Sequence, residues 1–323
     1  MKAGFFAIGA PQWAEACKLG LNPAVAYLVA ACGTGRDNIT TRWSAEAVRK
    51  YTGMGRLRAK DALNRIDGNA HIVASVAMKG GNPARKLTLP DTERLLWLPN
   101  ALVTGARDEV PPVAKLRQSQ NLEHLQTFIE LYGMQDLAGD GGLSRSLVRA
   151  PFKREQLCEQ GPFIVYGFNR DTTRTCWNNG PLARFAERKE GEQSAAWACL
   201  TALENMGLLE KVDYLAESDS PDAELLHPLT GDDDAEAVKL AAWDFATELP
   251  DGFKHEAEQF DYVLPVLRHI GNPAVVGVSR LVYRPHTQRT AAWFAQHREA
   301  CEGYKARYDA LAAGDFTQAA RAC

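Results

Sequence analysis

Ser44-Ala45-Glu46-Ala47-Val48-Arg49-Lys50-Tyr51-Thr52-Gly53-Met54-Gly55, followed by Arg56-Leu57-Arg58-Ala59-Lys60-Asp61-Ala62-Leu63-Asn64-Arg65-Ile66, is the stretch on which the reading of this chain turns. Ser44 is a good N-cap, able to accept from the free backbone N–H groups of a first helical turn, and Gly53 can take the left-handed conformation that ends a helix. Met54-Gly55 leaves room only for a tight turn. A second helix is then expected from Arg56 to Ile66, because Ala59, Ala62, Leu63 and Ile66 recur at i, i+3, i+4 and i+7 and make one buried stripe. Its opposite side carries Leu57, Asp61 and Asn64, flanked by Arg58, Lys60 and Arg65, with Arg56 at the helix start. Beyond it, His71 to Val76 and Arg85 to Leu89 flank Lys79-Gly80-Gly81-Asn82-Pro83. This is the pattern of a β-hairpin with a glycine-rich tip and a basic flank.

Helix, glycine-containing turn, helix and basic hairpin, in that order, resemble the winged helix-turn-helix superfamily in the style of bacterial transcriptional regulators. The resemblance covers Asn22 to Pro90. It implies that the second helix enters the major groove of DNA and that the hairpin is the wing. On this resemblance Arg56, Leu57, Arg58, Lys60, Asp61, Asn64 and Arg65 face the groove. Arg56 and Arg58 are the candidates for bidentate guanine contacts and Asn64 for adenine. Arg42, Lys50, Lys79, Arg85 and Lys86 would hold phosphates from the flank and the wing.

Working outward toward the N-terminus, Pro11 to Lys18 reads as a short helix and Pro23 to Cys32 as a longer apolar one. Asn22 is its N-cap, Pro23 suits the first helical position, and Val25, Leu28, Val29 and Cys32 share a face. Gly33 to Asn38 is a polar loop; it has no G-K-[ST] and no preceding strand, so a phosphate-binding loop is not indicated. Trp43 is expected in the core or as a staple.

Toward the C-terminus, the prolines between Pro90 and Pro112 mark an irregular connector. One long amphipathic helix is expected from Val113 to Met134, broken by Gly139 to Gly142, with a short helix from Ser144 to Val148. Strands are expected at Pro162–Phe168, with Thr172–Trp177 as a possible partner, and a helix at Glu192–Met206. Lys211–Ala216 with Glu224–Leu229 would form a hairpin. This order is similar to a second, degenerate winged helix. Its would-be recognition helix, Gln193 to Asn205, contains no Lys or Arg, which suits a structural or protein-contacting role, since phosphate neutralisation supplies much of DNA affinity. The carboxylates at Asp232, Asp233, Asp234 and Glu236 lack EF-hand spacing and instead suit the N-terminus of a helix over Ala237–Ala246. Strands follow at Tyr262–Leu267 and Ala274–Tyr283. A final helix over Thr290–Ala313 carries Phe294, Cys301, Tyr308 and His297, Tyr304, Leu311 at the spacing of a coiled-coil seam.

Charge sharpens this division. The chain has a net charge of −3, but residues 1–90 hold 13 Lys/Arg against 5 Asp/Glu, whereas residues 91–230 hold 14 against 21 and residues 231–323 hold 10 against 14. Only the first segment has the positive balance of a nucleic-acid-binding surface. Seven cysteines without a C-x-x-C pair argue against a disulfide framework or zinc site, and no apolar run approaches a membrane span or a signal-peptide core, which points to a cytoplasmic protein. His255-Glu256 lacks the second histidine of H-E-x-x-H, and no G-x-S-x-G, Walker A or dinucleotide fingerprint occurs. No enzyme, cofactor or metal is indicated.

The expected architecture is mainly α with small β-hairpins (α+β). It comprises a winged helix at residues 1–90, a second, acidic winged-helix-like domain at 91–230 and a C-terminal α+β region at 231–323. The expected function is sequence-specific binding of double-stranded DNA, as a transcriptional regulator. The alternatives are a plasmid or phage replication initiator, a group that by family resemblance often uses tandem winged helices, and a winged-helix protein–protein adaptor. A homodimer joined through residues 91–323, not through the wing, is expected, with the helices at 113–134 and 290–313 offering apolar faces.

Overall fold

The computed structural model describes residues 4–79, 82–88, 95–106, 109–136, 139, 142–171, 175–176, 180–190, 193–249, 253, 257–285 and 287–321. The chain packs as two compact units, one of residues Met1–Gln135, Pro181–Leu209 and Leu281–Thr287, the other of Asp136–Gly180, Glu210–Arg280 and Gln288–Cys323. Neither 90 nor 230, the boundaries expected from sequence, is an edge of either unit. The fold is mixed α+β, and the larger strand content departs from the small hairpins expected.

In the first unit, strand β1 (Phe5–Gly9) pairs antiparallel with β5 (Leu95–Pro99). Helix α1 (Ala10–Lys18) follows with Pro11 in its first turn, where a missing N–H costs nothing. Helix α2 (Leu21–Cys32) is buried at every position from Pro23 to Cys32. A helix apolar all round belongs at the centre of a core, and α1, α3 (Ala45–Thr52) and α4 (Arg56–Asp67) all pack on it. Strand β2 (Thr40–Thr41), not expected from the sequence, joins the hairpin of β3 (Val73–Lys79) and β4 (Asn82–Leu87) in a three-stranded antiparallel sheet of order β2-β4-β3.

The single helix expected over Val113–Met134 is two helices, α6 (Pro112–Gln118) and α7 (Leu122–Leu131), preceded by a short α5 (Ala101–Thr104). The break is chemical. Gln120 sits at φ 55°, and the Asn121 side chain accepts from the backbone N–H of Glu123 and His124 as a new N-cap.

The second unit begins with β6 (Val148–Gln160), β7 (Phe163–Arg170) and β8 (Thr175–Cys176). No helix spans Ser144–Val148; residues 145–147 form a turn, and Val148 already belongs to β6. The proposed partner of β7 at Thr172–Trp177 is described only at β8, which pairs with β6 instead; residues 172–174 and 177 lie outside the described residues. The chain returns to the first unit for the short ladder of β9 (Lys189–Glu190) and β10 (Gln193–Ser194) and for α8 (Ala195–Asn205), capped by the Ser194 hydroxyl. It then supplies β11 (Leu209–Ala216), β12 (Leu225–Pro228), α9 (Asp233–Thr247), β13 (Tyr262–Leu267), β14 (Ala274–Leu281), α10 (Gln288–Ala312) and α11 (Phe316–Arg321).

The hairpin expected between β11 and β12 forms. It belongs, however, to a seven-stranded curled sheet of order β12-β11-β14-β6-β7-β13, with β8 beside β6. Strands β13 and β14 also form where expected, but they pair with β7 and β6. The helices and the hairpin read as one second winged helix are thus divided, α6, α7 and α8 lying in one unit and β11–β12 in the other. Helices α9 and α10 close the second unit's core with Phe163, Phe168, Leu215, Phe245, Tyr308 and Leu311. The seam of α10 is used inside this unit: His297, Cys301, Tyr308 and Leu311 are buried, while Phe294 stays 45% exposed. Of the described cysteines, Cys17, Cys32, Cys199 and Cys301 are buried and not in disulfides, and burial pushes Cys199 up to about 11 and Cys301 to about 12.

One buried group gives this unit a pH response. In β12, the His227 ring has Nδ1 3.0 Å from the Pro228 carbonyl and Nε2 2.9 Å from the Tyr308 hydroxyl. A carbonyl only accepts, so Nδ1 carries the hydrogen and Nε2 accepts from tyrosine, which is the neutral imidazole. Desolvation by burial, with Arg307 adding repulsion, lowers His227 to about 4 against the pull of the Pro228 carbonyl. Between the unfolded value of about 6.5 and 4, the unfolded chain binds the extra proton. This contribution is complete above about pH 6.5 and is lost as pH falls toward 4, on the order of 3 kcal/mol in all. Denaturant titrations stepped from pH 7 to pH 4 should show a loss of stability in the wild type that is smaller by this amount in His227→Gln; equal slopes in both proteins would contradict it.

Candidate nucleic-acid interface

The candidate surface is built on α3, the turn after it, α4 and the hairpin β3–β4. Ser44 Oγ accepts from the Glu46 N–H at 3.3 Å at the start of α3, and Gly53 ends it at φ 66°, where a side chain would be strained. Thr52 secures the turn, its hydroxyl donating to the Val48 carbonyl at 2.6 Å and accepting from the Met54 N–H at 3.2 Å. Met54 is fully buried, so the turn is pinned from below. From α6, Arg117 Nε donates to the Thr52 carbonyl at 2.9 Å and satisfies the C-terminal end of α3.

Helix α4 buries Ala59, Ala62, Leu63 and Ile66, the stripe expected from its sequence. This sets its outward face. Arg56, Leu57, Arg58, Lys60, Asp61, Asn64 and Arg65 are all exposed. Among the described residues no carboxylate lies within ion-pair distance of Arg58, Lys60 or Arg65. On α3, Arg49 is held by Glu46 at 2.7 Å, and that hydrogen bond lowers the Glu46 carboxyl and raises the guanidinium. Lys50 is exposed, with its ammonium 5.1 Å from the Tyr51 ring centroid. Tyr51 in turn stacks on Trp43 at 5.0 Å between centroids and 23° between planes. A Cβ at Gly33 would come within 2.3 Å of the Trp43 indole, so the absence of a side chain at Gly33 lets the indole pack against the end of α2. Arg36 and Arg42 are exposed.

The hairpin sorts its basic residues by strand alternation. Lys86 is exposed, opposite Ser75 and Thr40. Lys79 ends β3, and the tip at Gly80-Gly81 lies outside the described residues. Arg85 departs from the expected phosphate-contacting set. It is 4% exposed and faces inward. Its Nε and one terminal nitrogen donate to the two carboxylate oxygens of Asp67 at 2.6 and 2.9 Å, and the other donates to the Trp43 carbonyl at 3.3 Å. Sequence reading also passed over Val76 and Met78, which are 43% and 71% exposed on β3; their signal was an apolar strand continuing beyond Val73, after which the described residues of β3 through Met78 are exposed.

Elsewhere, Asp232 caps α9 by accepting from the Ala235 N–H at 2.9 Å, and its second oxygen lies 2.9 Å from His297 Nε2. No group of three or more His, Cys, Asp and Glu among the described residues is arranged to hold a metal ion. No helix among them is long and apolar enough to cross a membrane. No protein-family model, curated protein or solved structure matches this chain.

The Asp67–Arg85 pair makes a stability prediction. Removing the carboxylate leaves a guanidinium buried without its counter-charge, which costs about 3–5 kcal/mol for fully buried pairs. Asp67 is 19% exposed, so Asp67→Ala should lie at the lower end of that range in urea unfolding, while Lys86→Ala, on the exposed side of the same strand, should change stability by less than about 0.5 kcal/mol.

Proposed function

We propose that residues 1–90 hold a winged helix-turn-helix, carried by Asn22 to Pro90, and that the chain binds double-stranded DNA sequence-specifically, as a transcriptional regulator. The observation that carries this reading is the outward face of α4. Seven polar, cationic or apolar side chains stand exposed on a helix whose opposite stripe is buried, and three of the cations have no carboxylate partner among the described residues. A helix diameter of about 10–12 Å fits a major groove about 12 Å wide. In this reading Arg56 and Arg58 address guanine edges and Asn64 an adenine edge, with Lys60, Asp61 and Arg65 along the same face. Arg42 and Lys50 hold phosphates beside α3, and Lys86 does so from the wing; the side chain of Lys79, assigned the same role, lies outside the described residues. Arg85 is left out, because its guanidinium is occupied by Asp67.

A single winged helix reads a short site, and two-fold assembly is the usual way to extend it. We propose a homodimer joined through residues 91–323. Apart from Phe294, Tyr304 and Leu122, the seam of α10 and the apolar residues of α6 and α7 are buried, so the proposal moves to α9, where Leu240 and Trp243 are 53% and 39% exposed one helical turn apart. Light scattering should then give twice the chain mass of 35.5 kDa; a monomeric mass with cognate DNA present would leave a single-site binder.

Selection from random or genomic duplex DNA tests the main reading. Recovered sites should share a motif, and Arg58→Ala with Lys60→Ala should weaken binding to it. Loss of a base contact is expected to cost about 1–3 kcal/mol, and loss of a phosphate contact to lower the salt slope by about one. Unchanged duplex binding by the double variant at moderate salt would remove α4 from the interface. Sites repeated at a replication origin would move the reading to an initiator, and specific protein capture without any salt-sensitive DNA complex would move it to an adaptor.

A further inference from the structure

We infer that Leu57 reads the 5-methyl group of a pyrimidine in the major groove. The inference rests on the DNA-binding reading and names one base feature within it. Leu57 is 84% exposed, more than any other described large hydrophobic residue. A lone exposed leucine is ordinary on a protein surface. This one, however, stands in the first turn of α4, on the same face as Asp61 and Asn64, four and seven residues on, with Arg56 and Arg58 exposed on either side.

Every other side chain named on this face donates or accepts hydrogen bonds, and the base edges in the major groove are donors and acceptors with one exception. That exception is the methyl on C5 of thymine, the apolar feature that an aliphatic side chain complements. A cytosine methylated at C5 presents the same group at the same place. The chemistry recognised is a 5-methylpyrimidine, and thymine and methylated cytosine are its two sources.

The experiment uses the full chain and the duplex recovered by selection. Each thymine is replaced in turn by deoxyuridine, which removes the methyl and keeps the base pair. In a second series each cytosine is replaced by 5-methylcytosine. For the wild type, uracil at one position should weaken binding about fourfold, the effect of one methyl-sized apolar contact, if thymine is the source. A comparable gain on one methylated cytosine marks the other source. Leu57→Ala should respond to neither change, and Leu57→Met, which keeps an apolar reach, should retain the response. Leu57 contributes nothing to the core, so both variants should keep the wild-type circular dichroism spectrum. A wild type indifferent to every substitution overturns the inference and leaves the DNA reading standing, as does a response that persists in Leu57→Ala. The absence of any sequence-specific duplex overturns both.

Discussion

Arg85 is the point where the N-terminal module is tied together. Its guanidinium meets the carboxylate of Asp67, the last residue of α4, in a two-point geometry, and its remaining nitrogen meets the Trp43 carbonyl just before α3. One side chain on β4 therefore fixes the end of the second helix and the entry to the first. A bidentate arginine–carboxylate pair constrains direction as well as distance. Its value here is geometric: replacing a buried ion pair with apolar groups is often neutral for stability, but such groups do not specify an angle. The Trp43–Tyr51 stack and the close approach of the indole to Gly33 extend the same anchoring to α2 and α3. These contacts tie the end of α4 to β4 and to the entry of α3.

Much of this module could be read from the chain because its determinants are local. A serine cap, a left-handed glycine and a stripe at helical spacing all act within a few residues of themselves. Two departures from the expected pattern are local as well. Leu87 belongs to the core, and strand alternation then places Arg85 on the same inward side and Lys86 outward; the basic character of Arg85 hid that parity. Likewise, Asn121 two residues before Glu123 was a helix-start signal inside what looked like one continuous amphipathic pattern.

The second unit resisted reading for a different reason. Its strands were recognisable one at a time from apolar runs, but their partners were not. β13 pairs with β7 and β14 with β6, across long intervening segments that include α8, a helix of the other unit. Hydrophobic period says that a segment is a strand and which side faces in. It does not say which of several apolar strands lies beside it. The helix order before β11–β12 is that of a winged helix, but β11 also joins β14 in the larger sheet. The division of those helices and that hairpin between two units follows from packing, which no sequence period encodes.

The distribution of ion pairs points to where positive charge is left over. In the second unit Arg170 meets buried Asp213 at 2.9 Å, Arg268 meets Glu159 at 2.6 Å, and Arg280 meets Glu210 at 2.6 Å. In the first, Arg188 meets Glu123 at 2.6 Å, and Arg184 meets Glu130. A cation so paired contributes little field beyond its neighbour, whereas Arg58, Lys60 and Arg65 keep theirs. Acidic residues outnumber basic ones in both 91–230 and 231–323, so self-contained pairs there still leave a negative surplus. Phosphates gain counterion release where unpaired cations cluster. Under the proposed DNA-binding reading, the exposed face of α4 joins these cations to Leu57, Asp61 and Asn64 on a single helix.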